Sequence, residues 1–283
     1  MMKIKSKFFL FFIFAGFTNL SFAAIDQSKG SFEDKFRQLD EVFPTPNLSR
    51  PSTGEPGPMY WQQRADYKIQ IKLNEDTRSV EGSETITYTN NSPLTLKYIW
   101  LQLDQNIFAK ESINNLTRPW GGGDSSVDFS TLRRQNFMDK FEGGFQELSI
   151  KINNKSPDTN LVGTHVRINL EKPLKPGEST SLDIEWAYAL VEENAVRARN
   201  GYETFEDGND IFLMAQWYPR VTVFSDYEGW HNKEFIGNGE FTLEFGDFEV
   251  DISVPSDHVV SATGVLLNEN DVLSPIQKKR MKQ

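Results

Sequence analysis

The alternation of apolar and polar side chains predicts a strand-rich domain that begins near residue 60. Tyr67, Ile69, Ile71 and Leu73 alternate with polar residues, as in a strand with one face toward solvent. Turn-forming residues follow, and the period of two then returns several times. Further strands are predicted at residues 80–91, 96–103, 145–153, 164–170, 179–188, 210–218, 240–255 and 258–266.

Short strands joined by turns of this kind predict an all-β fold, an antiparallel β-sandwich. Residues 104–144 interrupt the rhythm with a polar, partly helical stretch, which we interpret as a long excursion from the sheet. Neither an internal repeat nor a coiled-coil heptad is visible in the sequence.

The first residues predict a cleavable signal peptide at residues 1–23. Three lysines precede an apolar run at residues 8–17, and the small residues Ser21 and Ala23 flank Phe22 at the expected cleavage position. The run is about half of the roughly 20 residues that a membrane span needs. We therefore expect an exported protein, periplasmic or secreted by a bacterium, with no membrane association after cleavage.

The segment between the signal peptide and the domain predicts a short leader helix and a linker, together residues 24–59. Phe32, Phe36 and Phe43 fall near one helical face, and residues 44–58 then contain five prolines and two glycines. The predicted β-sandwich domain covers residues 60–273. Residues 274–283 are predicted to be a truncated tail.

Charge and cysteine content narrow the choice of partners. The formal net charge is −10 at pH 7, which makes nucleic acid a poor candidate partner. The sequence contains no cysteine, so disulfides, thiolate chemistry and a lipid anchor on cysteine are excluded.

Candidate chemistry is sparse. The three histidines, His165, His231 and His258, fall in different predicted strands or loops. His231 and Glu234 lack the second histidine that a zinc helix needs, and glycines bracket the segment. No phosphate-binding loop follows the glycines at residues 121–123, and no Gly-x-Ser-x-Gly elbow occurs. From these motifs alone we therefore predict neither a catalytic residue nor a metal ligand in the chain.

The joint pattern of strands and turns resembles the N-terminal domain of the aminopeptidase N family of zinc metallopeptidases. VEGSETITYTNNSPLTLKYIWLQLD resembles the opening strands, and LEKPLKPGESTSLDIEWAY is similar to a hairpin of that family. QWYPR, GEFTLEFGDFEV and VPSDHVVSATG resemble a bacterial branch of the family. The resemblance covers roughly residues 60–273.

The resemblance implies a substrate-binding role for one short segment. In the family, the matching strand ends at the rim of the active site, and its glutamine holds the free amino terminus of a peptide. Gln216 is the matching position here. Tyr218 stands where many members place a glutamate, so we carry it as a second substrate-binding candidate whose aromatic ring can instead serve packing.

The resemblance also implies what is missing. The zinc of intact relatives is bound by a HExxH helix and a more distant glutamate, and this sequence contains no such motif. We therefore predict no cofactor in this chain, no activity of the chain alone, and a sandwich that lacks its last strands. The peptide amino terminus is the expected ligand in intact relatives.

Two alternatives stay open from the sequence. In the first, the chain is a stand-alone secreted module that binds a peptide or a protein through its aromatic segment. In the second, it acts with a separately encoded catalytic domain.

Overall fold

The computed structural model describes residues 46–117, 126–196, 198–239 and 241–281. The chain divides into two units between Met59 and Tyr60. The predicted signal peptide and leader helix lie outside the described residues. Residues 46–59 contain no helix or strand and fold back on themselves, because the Met59 N–H donates to the Leu48 carbonyl at 3.1 Å.

The second unit is built mainly from strands, as the alternating pattern predicts. The strands are β1 (Arg64–Asn74), β2 (Ser79–Thr89), β3 (Leu96–Gln102), β4 (Glu147–Lys151), β5 (Thr159–Val162), β6 (His165–Leu174), β7 (Ser179–Ala189), β8 (Gly201–Thr204), β9 (Asp210–Leu213), β10 (Arg220–Val221), β11 (Phe224–Ser225), β12 (Gly229–Trp230) and β13 (Phe248–Ser253).

Helices are short and lie between these strands or after them. A 3-10 helix spans Asp104–Phe108, and α-helices span Ile113–Thr117, Phe129–Met138, Glu193–Val196, Glu269–Val272 and Pro275–Met281. Within the described part of the chain, no helix has the length and apolarity to cross a membrane. The excursion predicted after β3 contains three of these segments, the 3-10 helix and the helices Ile113–Thr117 and Phe129–Met138.

Two sheets make up the body of the domain. The larger has the strand order β13-β1-β2-β7-β4, and the smaller has the order β10-β3-β6-β5. The hairpins β8-β9 and β11-β12 each form a separate two-stranded sheet.

The two sheets bury their inner faces against each other. The Tyr67 hydroxyl on β1 accepts a hydrogen bond from the Val221 N–H on β10 at 3.0 Å, which joins the larger sheet to the smaller. The Trp230 ring lies between Tyr88 of β2 and Tyr98 of β3, with centroids 6.3 Å from each. The predicted all-β class and sandwich are confirmed.

Close packing explains the glycine inside β2. Gly82 pairs with Trp186 on β7, and a β-carbon at Gly82 would lie 2.3 Å from the indole ring. A glycine in a strand interior often marks such an approach.

One strand pair differs from the predicted antiparallel arrangement. β13 runs parallel to β1, with Tyr67 opposite Phe248 and Ile71 opposite Ile252. A parallel partner needs a long crossover connection, and here nearly the whole domain lies between the two strands. The sheet is mixed.

Three predicted strands are wrong in extent or existence. The strand predicted at 210–218 ends at Leu213, and the one predicted at 240–255 is confined to Phe248–Ser253. Residues 258–266 form no strand, and their apolar side chains are exposed, with Val265 86% accessible. An apolar alternation becomes a strand only where a neighbouring backbone accepts its hydrogen bonds and a core covers one face.

A buried carboxyl group interrupts the apolar inner face. Glu84 on β2 lies between Ile69 and Ile184 and is 4% exposed. Neither carboxyl oxygen has a hydrogen-bond partner among the described residues. Burial raises the pKa of Glu84 well above its usual range, because an apolar environment disfavours the charged form.

We expect Glu84→Met to stabilise the protein at pH 8, by about 1–3 kcal/mol, because it removes an unsatisfied buried polar group. The folded state binds the Glu84 proton more tightly than the unfolded state does. Its contribution to stability is therefore full below the ordinary pKa of 4.5 and declines as pH rises. The gain over wild type should grow with pH in urea denaturation.

Glu81→Met is the matched control, because Glu81 lies on the same strand and is exposed. An equal gain in both variants, or a gain that does not depend on pH, would contradict the role assigned to burial.

Candidate functional site

The segment singled out by the sequence forms a loop between β9 and β10. Gln216, Trp217 and Tyr218 are all half-buried, and Pro219 is buried. Leu213 ends the strand before the loop, and Arg220 begins the strand after it. The two predicted substrate-binding residues therefore lie on a loop and not on a strand.

Gln216 adopts a backbone conformation that glycine favours. Its φ is +53°, one of four positive values at non-glycine residues in the described chain. Such a residue carries about 1–3 kcal/mol of strain and persists only where its surroundings hold it. The side-chain amide of Gln216 makes no hydrogen bond to any described residue.

A buried glutamine holds this turn. The Gln105 Nε2 donates to the carbonyl of Ala215 at 3.2 Å and to that of Gln216 at 2.9 Å. The Asn200 Nδ2 donates in turn to the Gln105 Oε1 at 2.6 Å. Gln105 and Asn200 are 3% and 5% exposed, so these bonds lie away from solvent.

A buried ion pair fixes the far end of the loop. The Arg220 guanidinium at the start of β10 donates to the Asp104 carboxylate, which also accepts from Gln102 Nε2 at 2.7 Å. Burial raises the pKa of Asp104, while Arg220 and the Gln102 amide act in the opposite direction. Both ends of the loop are thus attached to the 3-10 helix, the first through Gln105 and the second through Asp104.

Tyr218 points its ring into an aromatic group. Its centroid lies 5.5 Å from that of Tyr67 and 6.1 Å from that of Phe248, both in edge-to-face contact, and 4.8 Å from Trp217. Burial raises the pKa of Tyr218 to about 12, so its hydroxyl is neutral at ordinary pH. These contacts pack the Tyr218 ring against Tyr67, Phe248 and Trp217.

The three histidines do not come together. The His165 side chain is buried beside Trp100, and burial, aided by the Arg220 charge, lowers its pKa to about 4. The His231 Nε2 lies 2.8 Å from the Ser225 Oγ, and His258 packs against Phe212.

The described residues do not bring together a zinc site of the kind that the resemblance assigns to intact relatives. The one group of three possible metal ligands found among them is Glu75, Asp257 and His258, and both of its carboxylates are exposed. A set of two histidines and one glutamate, as in the zinc sites of metallopeptidases, does not form in the described chain.

Sequence reasoning missed the residues that shape the loop. Gln105 and Asn200 are ordinary polar residues in the sequence, separated from Gln216 by 111 and 16 positions. The run LQLDQN, which continues the apolar strand β3 with three amide side chains and an aspartate, is the signal that could have drawn attention to Gln105.

Comparisons with known proteins give structural neighbours alone. No family model matches the chain, and no curated protein matches it. The chain is similar to an M1 zinc metallopeptidase of Deinococcus radiodurans, solved as a mutant bound to a Tyr-Ser-Ala substrate, with 14% identity and a TM-score of 0.39, over 76% of this chain and 38% of that one.

Two further structures give comparable values. The D. radiodurans M1 zinc metallopeptidase without the mutation has 14% identity and a TM-score of 0.37, over 74% of this chain and 36% of that one. A mutant two-domain M1 zinc metallopeptidase bound to L-tryptophan has 14% identity and a TM-score of 0.37, over 75% and 37%. The chain spans less than two fifths of the length of these structures.

We expect Arg220→Leu to destabilise the domain by about 3–5 kcal/mol, because it leaves the buried Asp104 carboxylate without its counter-charge. Urea denaturation monitored by tryptophan fluorescence measures the loss. Arg64→Leu is the control, because Arg64 pairs with Asp66 at 2.9 Å in a solvent-exposed position and should change stability little. Equal losses in the two variants would contradict the importance of the buried pair.

Proposed function

We propose that residues 60–273 are a substrate-binding β-domain of the aminopeptidase N type, in which Gln216 receives the free amino terminus of a peptide. The resemblance of QWYPR and its flanking segments to that family supports the assignment. The observation that carries it is the half-buried Gln216 amide, which has no described protein partner and stands on a strained, firmly held turn.

The chemistry of the amide suits this ligand. A peptide ammonium offers three N–H donors, and a carboxamide oxygen accepts from them without adding a charge. Hydrogen bonds to a charged group contribute about 1.5–3 kcal/mol, which is enough to discriminate a free from a blocked amino terminus. Trp217 beside Gln216 offers an aromatic surface for the first side chain of the peptide.

The domain binds in this proposal and does not cleave. Peptide-bond hydrolysis belongs to a zinc-bearing catalytic unit of the family, to which this domain presents the loop at Gln216. In a second form of this proposal, the catalytic unit is a separately encoded chain that associates with this domain. Export to the periplasm, through the signal peptide at residues 1–23, would place the protein among short peptides.

We expect the purified chain to bind trialanine more tightly than N-acetyl-trialanine, as measured by isothermal titration calorimetry. Gln216→Ala should weaken trialanine binding about 10- to 100-fold, which corresponds to 1.5–3 kcal/mol, and should leave the weak binding of the acetylated peptide unchanged.

Gln70→Ala is the matched control, because Gln70 is an exposed glutamine on β1. Equal affinity of wild type for the two peptides would refute the proposed function. Turnover of an aminoacyl fluorogenic substrate by the purified chain would refute the statement that the domain binds without cleaving.

A further inference from the structure

We propose that Gln105 and Asn200 are positioning residues that hold the Gln216 turn in the conformation that binds a peptide amino terminus. This inference rests on the proposed function for its ligand. The turn itself, and the hydrogen bonds that hold it, are properties of the described structure.

The hydrogen bonds from Gln105 select the turn. Its single Nε2 reaches two successive carbonyls, those of Ala215 and Gln216. In an extended strand, successive residues face opposite sides, so one amide nitrogen cannot reach both carbonyls. Both bonds form only where the backbone turns between the two residues, which is where Gln216 takes its positive φ.

Asn200 supports the orientation of the Gln105 amide in which the NH2 group faces the loop carbonyls. A carboxamide can present either its oxygen or its NH2 group to a given side. Because the Asn200 Nδ2 donates to the Gln105 Oε1, the NH2 group of Gln105 faces the loop. Without Asn200, the amide could rotate and place an oxygen against the carbonyls of the loop.

The 3-10 helix that carries Gln105 is itself held on two sides. The Leu103 N–H donates to the Thr164 carbonyl at 2.7 Å, directly before the helix. The Asn106 Nδ2 donates to the Gly163 carbonyl at 3.1 Å, and its Oδ1 accepts from the Phe145 N–H at 3.0 Å. The position of Gln105 is therefore set by the end of β3, by the turn between β5 and β6, and by the segment before β4.

Loosening the turn should weaken binding through the population of the competent conformation. A strained turn that loses its hydrogen bonds relaxes to other backbone conformations, and the apparent affinity falls by the fraction that remains competent. A tenth of the chains in the competent turn corresponds to a tenfold weaker apparent affinity.

The test compares two buried glutamines in the full chain. Gln105→Met removes the bonds to the loop and keeps a side chain of similar length. Gln63→Met is the control, because the Gln63 Nε2 donates to the Asn90 Oδ1 at 3.0 Å in an equally buried position away from the loop. Calorimetry with trialanine, and the Cα chemical shift of Gln216 by NMR, are measured for each.

We expect about tenfold weaker trialanine binding and a shifted Gln216 Cα resonance in Gln105→Met, with neither change in Gln63→Met. Asn200→Ala, which leaves Gln105 in place, should change both readouts in the same direction. This variant replaces Gln105→Met in the test if Gln105→Met does not fold. An effect on thermal stability alone, equal in both glutamine variants, would show a merely structural role and overturn the inference.

The outcomes separate the two proposals. Wild type that does not prefer trialanine over N-acetyl-trialanine overturns the proposed function and, with it, the ligand assigned to this turn. The positioning role alone is overturned if wild type prefers trialanine but Gln105→Met binds it with unchanged affinity and shows an unchanged Gln216 Cα resonance.

Discussion

The contact between the end of β3 and the start of β10 is the constraint on which the loop at Gln216 depends. Arg220 and Asp104 meet there as a buried ion pair, and neighbouring Gln105 reaches the turn before it. Each charge is buried only because the other compensates it, so the pair fixes where β10 begins. A loop attached at both ends can hold one residue in a strained conformation that a free loop would lose.

The body of the sandwich follows from alternation, and for that reason the sequence predicts it well. β1, β2 and β7 each have one buried face, so buried apolar residues recur with a period of two along each strand, as Tyr67, Ile69 and Ile71 do in β1. β5 shows no such signal, because all of its residues, Thr159–Val162, are exposed. Its hydrogen bonds with β6, which the sequence pattern does not record, make it a strand.

The sequence singles out Gln216 as a candidate residue but does not give the backbone shape of its segment. The resemblance points to Gln216, while the pattern places it on a strand, because residues 210–218 are apolar enough to suggest one. Gln105 donates hydrogen bonds to the turn at Gln216, where φ is positive, and no pattern within the loop predicts that partner. The packing of Tyr218 is likewise not predictable from the loop itself, because its aromatic contacts are with Tyr67 and Phe248. These residues lie on β1 and β13, one before the loop in the sequence and one after it.

The parallel pairing of β1 with β13 bears on the order in which the domain forms. Tyr67 lies opposite Phe248, so the first strand of the larger sheet meets its edge partner 181 residues later in the chain. Contacts of such high sequence separation form slowly, because a long loop must close before they contribute any stability. On the ribosome, β1 and β2 can pair as soon as they emerge, but the outer edge of β1 stays open until almost the entire domain has been synthesised. During that interval this edge is the place where a chaperone, or a second nascent chain, would compete with β13 for the same backbone groups.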